Sequence, residues 1–315
     1  MNHPVVSSLL PVVLLIAVGF FAGRRAWISA TAVKDLANLI FLLLSPALLF
    51  RAMSAVHVED LSLRPLAAYF LGAFLIFGGT LAVRGFNRTA AVLAMANTYS
   101  NTVMIGIPLV GLAYGDQGMV TLLTLVSLHA LVLLTTATIA VELAVAREDA
   151  AAGIGADRHI AATVALAVRN AVFHPVPIPI IAGLLFAQTG WVIPPVIDRP
   201  LQLLGQAFGP LALVMVGVTL AHTTVGHHLK GALALAAVKN LVHPLLVVAI
   251  GWLLGVRGLP LVVMTVAAAL PIGANVFLFS QRYQVAEELT TASVAVSTTL
   301  ALVTLSLVMA LVGML

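Results

Sequence analysis

Apolar runs of about 20 residues follow one another along almost the whole chain. A helix of that length spans the hydrocarbon core of a bilayer and satisfies its own backbone hydrogen bonds there. The runs do not alternate between polar and apolar residues, as the strands of a membrane β-barrel would. Apolar residues make up 62% of the 315 residues and charged residues only 8%, too much apolar surface for one soluble core. The chain is therefore predicted to be an all-α integral membrane protein.

Ten of these runs are predicted to be transmembrane helices. They cover residues 5–23, 32–52, 65–84, 89–113, 119–143, 170–189, 200–220, 231–254, 260–281 and 289–313. No Lys or Arg precedes the first run, so it is expected to remain as a span rather than to be cleaved as a signal.

The distribution of Lys and Arg predicts the orientation. With the N-terminus outside, only Arg51, Arg64, Arg199 and Arg257 fall on the outer side, and the other basic residues fall on the cytoplasmic side. Because cytoplasmic loops carry the excess of Lys and Arg, both termini are expected outside the cytoplasmic membrane.

The longest polar stretch, residues 144–159, divides the spans into five and five. Five is an odd number, so the second set must cross the membrane in the opposite direction to the first. The sequence therefore predicts a 5+5 inverted repeat: a first unit at 1–143, a cytoplasmic linker at 144–159 and a second unit at 160–315.

Two spans in corresponding positions of the halves are interrupted. The fourth contains NTYSNTVMIGIPLVGLAYG at 97–115, and the ninth contains LPIGANVFLFSQRY at 270–283. Proline and glycine break helices, and an open backbone at membrane depth is tolerated where it lines a cavity. We predict a substrate site where these paired interruptions lie. Isolated prolines in other spans, namely Pro11, Pro46, Pro210 and Pro244, are interpreted as kinks. The candidate residues are Asn97, Ser100, Asn101, Thr102, Gly106, Pro108, Pro271, Gly273 and Asn275.

Three ionisable residues, His129, Lys239 and His243, lie well inside predicted spans. They are added to the substrate-binding candidates because intramembrane ionisable groups are commonly functional. The alternatives are a lysine that reaches the membrane interface and neutral histidines bonded to neighbouring helices. Every Asp and Glu lies in a loop or near a span end. A site without fixed negative charge favours an organic anion over a bare cation.

Several classes of chemistry leave no trace in the sequence. There is no cysteine, no GxxxxGK[ST] phosphate-binding loop, no HExxH metal motif and no GxSxG nucleophile elbow. We therefore predict no enzyme activity, no catalytic residue, no cofactor and no bound metal.

The two interrupted segments resemble the auxin efflux carrier family, which includes plant PIN-type auxin exporters and bacterial malonate carriers. The stretch Asn101–Pro108 is similar to the family's fourth-helix motif. Its eighth and ninth helices are similar to VKNLVHPLLVVAIGWLLGVRGLP at 238–260 and to AAALPIGANVFLFSQRYQV at 267–285. The start of its sixth helix is similar to RNAVFHP at 169–175. The similarity extends over most of the chain.

The resemblance implies the ten-helix fold shared with sodium/proton antiporters and bile-acid symporters. The fourth and ninth helices would be broken and would cross near Pro108 and Pro271, with substrate at the crossing and an elevator motion giving alternating access. Asn101 matches an asparagine that contacts the carboxylate in plant members. Some relatives carry a second proline near Asn275, and this chain does not.

We therefore predict a secondary transporter that moves a small organic anion, either an auxin-like carboxylate or a malonate-type dicarboxylate. The expected partners are this anion and membrane lipid, and no nucleic acid; a proton or sodium ion for coupling and a homodimer are left open. The alternatives are a proton- or sodium-coupled symporter of another organic solute, an intramembrane enzyme acting on a lipid, and a receptor or scaffold without transport.

Overall fold

A computed structural model describes residues 4–56, 62–151, 160–172 and 176–313. These residues fold into helices and contain no β-strand, only a single antiparallel residue bridge. The all-helical prediction is confirmed. The helices are α1 (Pro4–Arg24), α2 (Ala32–Leu39), α3 (Ser45–Met53), α4 (Arg64–Arg84), α5 (Arg88–Ala96), α6 (Ile107–Ala151), α7 (Ile160–Val172), α8 (Pro177–Gln188), α9 (Pro195–His222), α10 (Leu229–Ala237), α11 (His243–Leu253), α12 (Leu259–Ala269), α13 (Asn275–Tyr283) and α14 (Glu287–Val312).

Six helical segments of the described chain are long and apolar enough to cross a membrane: Ala32–Met53, Arg64–Arg84, Thr102–Ala151, Pro195–His222, Gly226–Leu253 and Glu287–Val312. Shorter apolar helices cover Leu9–Arg24, Pro177–Gln188 and Leu259–Ala269. The protein is thus a multi-pass membrane protein, and the count of ten spans stays a prediction.

The longest of these segments reverses direction at Gly115. Within the 45 residues of α6, Gly115 alone has non-helical angles, φ 58° and ψ −155°, which glycine adopts without steric cost. A Cβ atom built on Gly106 would lie 3.8 Å from the Leu122 side chain, whereas sixteen residues of straight helix rise about 24 Å. α6 is therefore two antiparallel helices, and Gly115 lies between the predicted fourth and fifth spans.

Three prolines shape the helices in the same way. In each case the residue before the proline donates its N–H to the carbonyl five residues earlier: Ser45 to Ile40, Ile107 to Thr102 and His243 to Val238. Pro46, Pro108 and Pro244 have no N–H and their rings crowd the preceding turn, so that turn widens to a π turn. Pro11 and Pro210 lie inside continuous helices, α1 and α9.

The helices form two groups. In the first, α1 packs along α9, and α3 packs against α8 and α9. A Cβ on Gly19 would lie 1.9 Å from the Val214 carbonyl oxygen, and one on Gly217 would lie 2.0 Å from that of Ile16. Glycine at both positions lets the α1 and α9 backbones touch, as small residues do in membrane helix pairs. The second group contains α4, α5, α6 and α10 to α14.

Ion pairs tie helix ends together. Arg51 and Asp198 form a two-bond pair, with Nε 2.6 Å from Oδ1 and Nη2 3.2 Å from Oδ2. Arg88 pairs with Glu148. Each pair joins residues that the predicted topology puts on one side of the membrane.

The predicted linker at 144–159 begins within a helix, because α6 continues through the helix-favouring residues of AREDA to Ala151. Its remainder, 152–159, lies outside the described residues, as do 173–175 at the end of RNAVFHP.

Candidate functional site

The fourth-span break runs from the end of α5 to the π turn Thr102–Gly106. Asn101 ends the extended stretch with φ −77° and ψ 62°, and its side-chain oxygen accepts a hydrogen bond from the Met104 N–H at 3.3 Å. A side-chain acceptor at this position satisfies an N–H that the first turn of a helix leaves open. Asn101 therefore starts the second half of the broken helix.

The ninth-span break separates α12 from α13. The residue before a proline favours an extended backbone, and Leu270 has φ −57° and ψ 148° before Pro271. Gly273 follows Pro271 by two residues. A Cβ on Gly273 would lie 2.9 Å from the Tyr99 ring and 3.1 Å from the Ser100 carbonyl oxygen. Glycine is therefore required for the ninth-span break to lie this close to the fourth-span break.

The two breaks pair as a short antiparallel bridge centred on Ser100 and Ile272. The Asn101 N–H donates to the Pro271 carbonyl at 2.8 Å, and the Gly273 N–H donates to the Tyr99 carbonyl at 3.0 Å. Each break thus satisfies backbone groups of the other, which an apolar surrounding would otherwise make costly. The interrupted segments cross in direct contact.

Side chains from other helices satisfy the rest of the ninth-span break. Lys239 is fully buried, and its Nζ donates to the carbonyls of Ala268 and Leu270 at 2.5 and 2.7 Å. The Ser297 hydroxyl accepts from the Ile272 N–H at 3.1 Å. A cation at the carbonyl end of α12 also suits the helix dipole. Lys239 therefore supports the crossing and does not extend to the interface.

A buried hydrogen-bonded cluster lies behind the fourth-span break. The Tyr69 hydroxyl is 2.7 Å from the Ser100 hydroxyl and 3.0 Å from Nε2 of His129. The Tyr99 ring lies 4.5 Å from the His129 ring, and the Tyr99 hydroxyl accepts from the Asn275 amide at 2.8 Å. His129 is thus connected to the fourth-span break through Tyr69 and Ser100, and to the ninth-span break through Tyr99 and Asn275.

The remaining polar candidates lie at the edge of this arrangement. His243 is fully buried with its ring 4.9 Å from that of Tyr69. Asn97 is buried and donates to the Thr80 hydroxyl at 3.0 Å, so it joins the fourth-span break to α4. Thr102 is buried within the π turn, and Gly106 packs against Leu270.

Asn101 and Asn275 are the partly exposed polar residues of the crossing, and Ala274 beside them is exposed. With its oxygen on Met104, the Asn101 side chain retains its NH2 group, which makes no hydrogen bond among the described residues. An amide donor of this kind can bind a carboxylate oxygen. The other polar candidates are buried among protein atoms.

A cavity of about 780 Å³ opens between the two helix groups, with lining from α1, α3 and α9 on one side and α6 on the other. Pro108 is the member of the predicted site that lines it, so the cavity extends to the second half of the broken fourth span. Its lining is mainly apolar, and its polar residues are Arg51, Asp116, Gln117, Gln202 and Gln206.

Sequence reasoning missed several members of this region. Tyr69 is the hydroxyl-bearing aromatic residue of the apolar run PLAAYFLGAF, which was a usable signal. Ser297 left none, because serine in a membrane helix commonly bonds its own backbone. Glu142 lies near the end of the predicted fifth span, as expected, but its side chain is buried. The described residues contain no group of three His, Cys, Asp or Glu that could hold a metal ion.

Residues 4–309 match the family described as "Membrane transport protein". The chain therefore belongs to this family of membrane transporters, the auxin efflux carrier family that the interrupted segments predict. It is 28% identical to a Rhizobium meliloti (strain 1021) protein named "Putative malonate transporter", over 96% of this chain and 94% of the relative. It is 24% identical to the "Uncharacterized transporter YfdV" of Escherichia coli (strain K12), over 93% and 92% of the two chains.

Proposed function

We propose that this membrane transporter is a secondary carrier for a small organic anion, bound where the two helix breaks cross. The observation that carries the proposal is the pairing of Asn101 with Pro271 and of Gly273 with Tyr99, beside two partly exposed asparagines. Breaks that satisfy each other in this way form a fixed element with side chains available to a ligand.

The chemistry of the crossing supports an anion. The available donor is the Asn101 amide, and the start of α13 at Asn275 adds the positive end of a helix dipole beside it. Lys239 adds a positive group behind the ninth-span break. In the described part of the chain, the hydrogen bonds of the crossing involve no Asp or Glu side chain. A carboxylate compound, of the auxin or malonate type, fits these donors, and a relative carries a malonate transporter's name.

The arrangement of the helices supports an elevator mechanism. The cavity lies between the group of α1, α3 and α9 and the group that carries both breaks. Movement of the second group along the first would carry the crossing from one membrane side to the other. We further propose that the carrier lies in the cytoplasmic membrane with both termini outside, as the Lys and Arg distribution predicts.

Binding to the Asn101→Ala variant tests the site. Malonate and indole-3-acetate, titrated into detergent-purified protein, are expected to stabilise the wild type against heat, because a ligand that binds the folded state shifts the unfolding equilibrium toward that state. Loss of the amide donor is expected to weaken binding at least about tenfold, since hydrogen bonds to charged groups contribute about 1.5–3 kcal/mol. Gln202→Ala, which alters the cavity wall and leaves the crossing intact, is the control.

Equal affinity in wild-type and Asn101→Ala protein would contradict the proposed site. Flux measurements in proteoliposomes address the enzymatic alternative. Transport of the unchanged anion supports a carrier, whereas chemical conversion of a lipid or solute would support an enzyme.

A further inference from the structure

We infer that His129 is a proton-binding site, and that its protonation is linked to anion binding at the crossing. The inference rests on the proposed function, because it requires an anion near Asn101. It adds a coupling ion and a residue that carries it.

A continuous hydrogen-bonded chain joins the crossing to His129. Ser100, the centre of the bridge between the breaks, contacts the Tyr69 hydroxyl at 2.7 Å, and that hydroxyl contacts His129 Nε2 at 3.0 Å. All three side chains are at least 98% buried. Buried groups have few alternative hydrogen-bond partners. A change in donor and acceptor at His129 therefore reverses the hydrogen bonds as far as Ser100.

The proton count of this chain gives it two states. When His129 is neutral with a bare Nε2, Tyr69 donates to His129 and Ser100 donates to Tyr69. When a proton adds to Nε2, His129 donates to Tyr69 and Tyr69 donates to Ser100. The Ser100 hydroxyl keeps its hydrogen and can then donate it to another acceptor, next to Asn101 at the crossing. Protonation at one end thus adds a donor at the end where the anion is proposed to bind.

The positive charge of protonated His129 requires a negative partner. The titratable groups that face it are Tyr69 from α4, Tyr99 from the fourth-span break, His243 from α11 and Lys239 from the π turn before α11. None of them is a carboxylate, and a buried positive charge without compensation is costly. A bound anion supplies the missing negative charge. By linkage, anion binding must then favour proton binding to the same extent that the proton favours the anion.

His243 completes the cluster and is fully buried. Its ring lies against that of Tyr69, on α4, which also contacts His129. In the transport step the proton enters from water on the side where the anion binds and leaves on the other side. No covalent bond of the anion is made or broken.

Calorimetric titration of malonate and indole-3-acetate tests the inference. Between about pH 6.5 and 8 a free carboxylate is ionised, so any pH dependence reports on the protein. Linked uptake of one proton predicts that the dissociation constant of the wild type falls about tenfold for each pH unit of acidification. Buffers with different heats of ionisation should report one proton taken up for each anion bound.

His129→Gln should bind the anion with no pH dependence and no proton uptake, since glutamine retains a hydrogen-bonding side chain that does not titrate. Tyr69→Phe keeps His129 and interrupts the chain, so it should also lose the linkage and serves if His129→Gln does not fold. His227→Gln, an exposed histidine outside the cluster, should keep the wild-type pH dependence.

The outcomes separate the two proposals. Binding by the wild type without proton uptake, or unchanged uptake in both His129→Gln and Tyr69→Phe, overturns the proton site and leaves the anion carrier intact. Failure of the wild type to bind either anion overturns the proposed function, and the proton linkage with it.

Discussion

The fourth-span and ninth-span breaks meet at the same point but are held in different ways. The fourth carries its own polar side chains: Asn101 caps the following turn, and Ser100 leads to Tyr69. The ninth, LPIGA, has no polar side chain before Asn275 and depends on Lys239 and Ser297 from distant parts of the chain. One break therefore presents side chains to a ligand, whereas the other presents a backbone shape that its neighbours maintain.

Removal of Lys239 should produce the largest loss of stability. Lys239→Met fills a similar volume but leaves the buried carbonyls of Ala268 and Leu270 without donors. We expect a loss of about 3–5 kcal/mol, as when one partner of a buried charged contact is removed. Thermal unfolding of the detergent-purified protein measures it. Lys230→Met, at an exposed position, is the control and should change stability by about 0.5 kcal/mol or less. A Lys239→Met protein as stable as this control would show that the ninth-span break maintains itself.

The contacts of Lys239 also show which features could be predicted from the sequence and which could not. The all-helical membrane fold and the two breaks could be predicted because apolar length, glycine and proline act locally along the chain. The partners of Lys239 could not, since they lie at Ala268 and Leu270 and are backbone atoms, which no residue type identifies. Residues four apart, such as Lys239 and His243, share a face of a regular α-helix. Here the π turn at Val238–Val242 lies between them, and Lys239 contacts the ninth-span break while His243 packs against Tyr69.

Much the same limit applies to the cavity. Pro108 was predicted because it interrupts a span, but Arg51, Asp116 and Gln206 come from three separate helical segments that only packing brings together. A sequence shows which positions break a helix, and the convergence of side chains from different helices follows from the fold.

The second prediction concerns the close approach of the two breaks. Gly273→Ala would place a Cβ 3.1 Å from the Ser100 carbonyl oxygen and 2.9 Å from the Tyr99 ring, so the bridge has to separate. We expect a loss of about 2 kcal/mol, which is typical of overpacking in a filled interior. Gly111→Ala meets only the Met119 sulfur at 3.7 Å and should be neutral or stabilising. Comparison of the two melting temperatures decides the matter, and equal values would mean that the crossing is not tightly packed.

Ser297→Ala should have a smaller effect on the same break. The change removes the acceptor of the buried Ile272 N–H, and an unsatisfied buried donor costs about 1–3 kcal/mol, here expected near the lower end because the rest of the bridge remains. Ser306 lies on the same helix and donates to its own backbone at Leu302, so Ser306→Ala is a matched control. Hydrogen exchange of the Ile272 amide should be faster in Ser297→Ala and unchanged in Ser306→Ala; the reverse pattern would remove Ser297 from the support of the break.

The smallest change in stability is expected at the fourth-span break, where Asn101 has two separable roles. Asn101→Ala removes the acceptor for Met104 and should cost about 1 kcal/mol, the usual value of a helix cap. Serine is an equally good cap residue but lacks the amide donor. Asn101→Ser should therefore recover the melting temperature of the wild type while anion binding stays as weak as in Asn101→Ala. If stability and binding instead recover together, Asn101 acts through the shape of the break, and the contrast between a ligand-facing break and a supported one no longer holds.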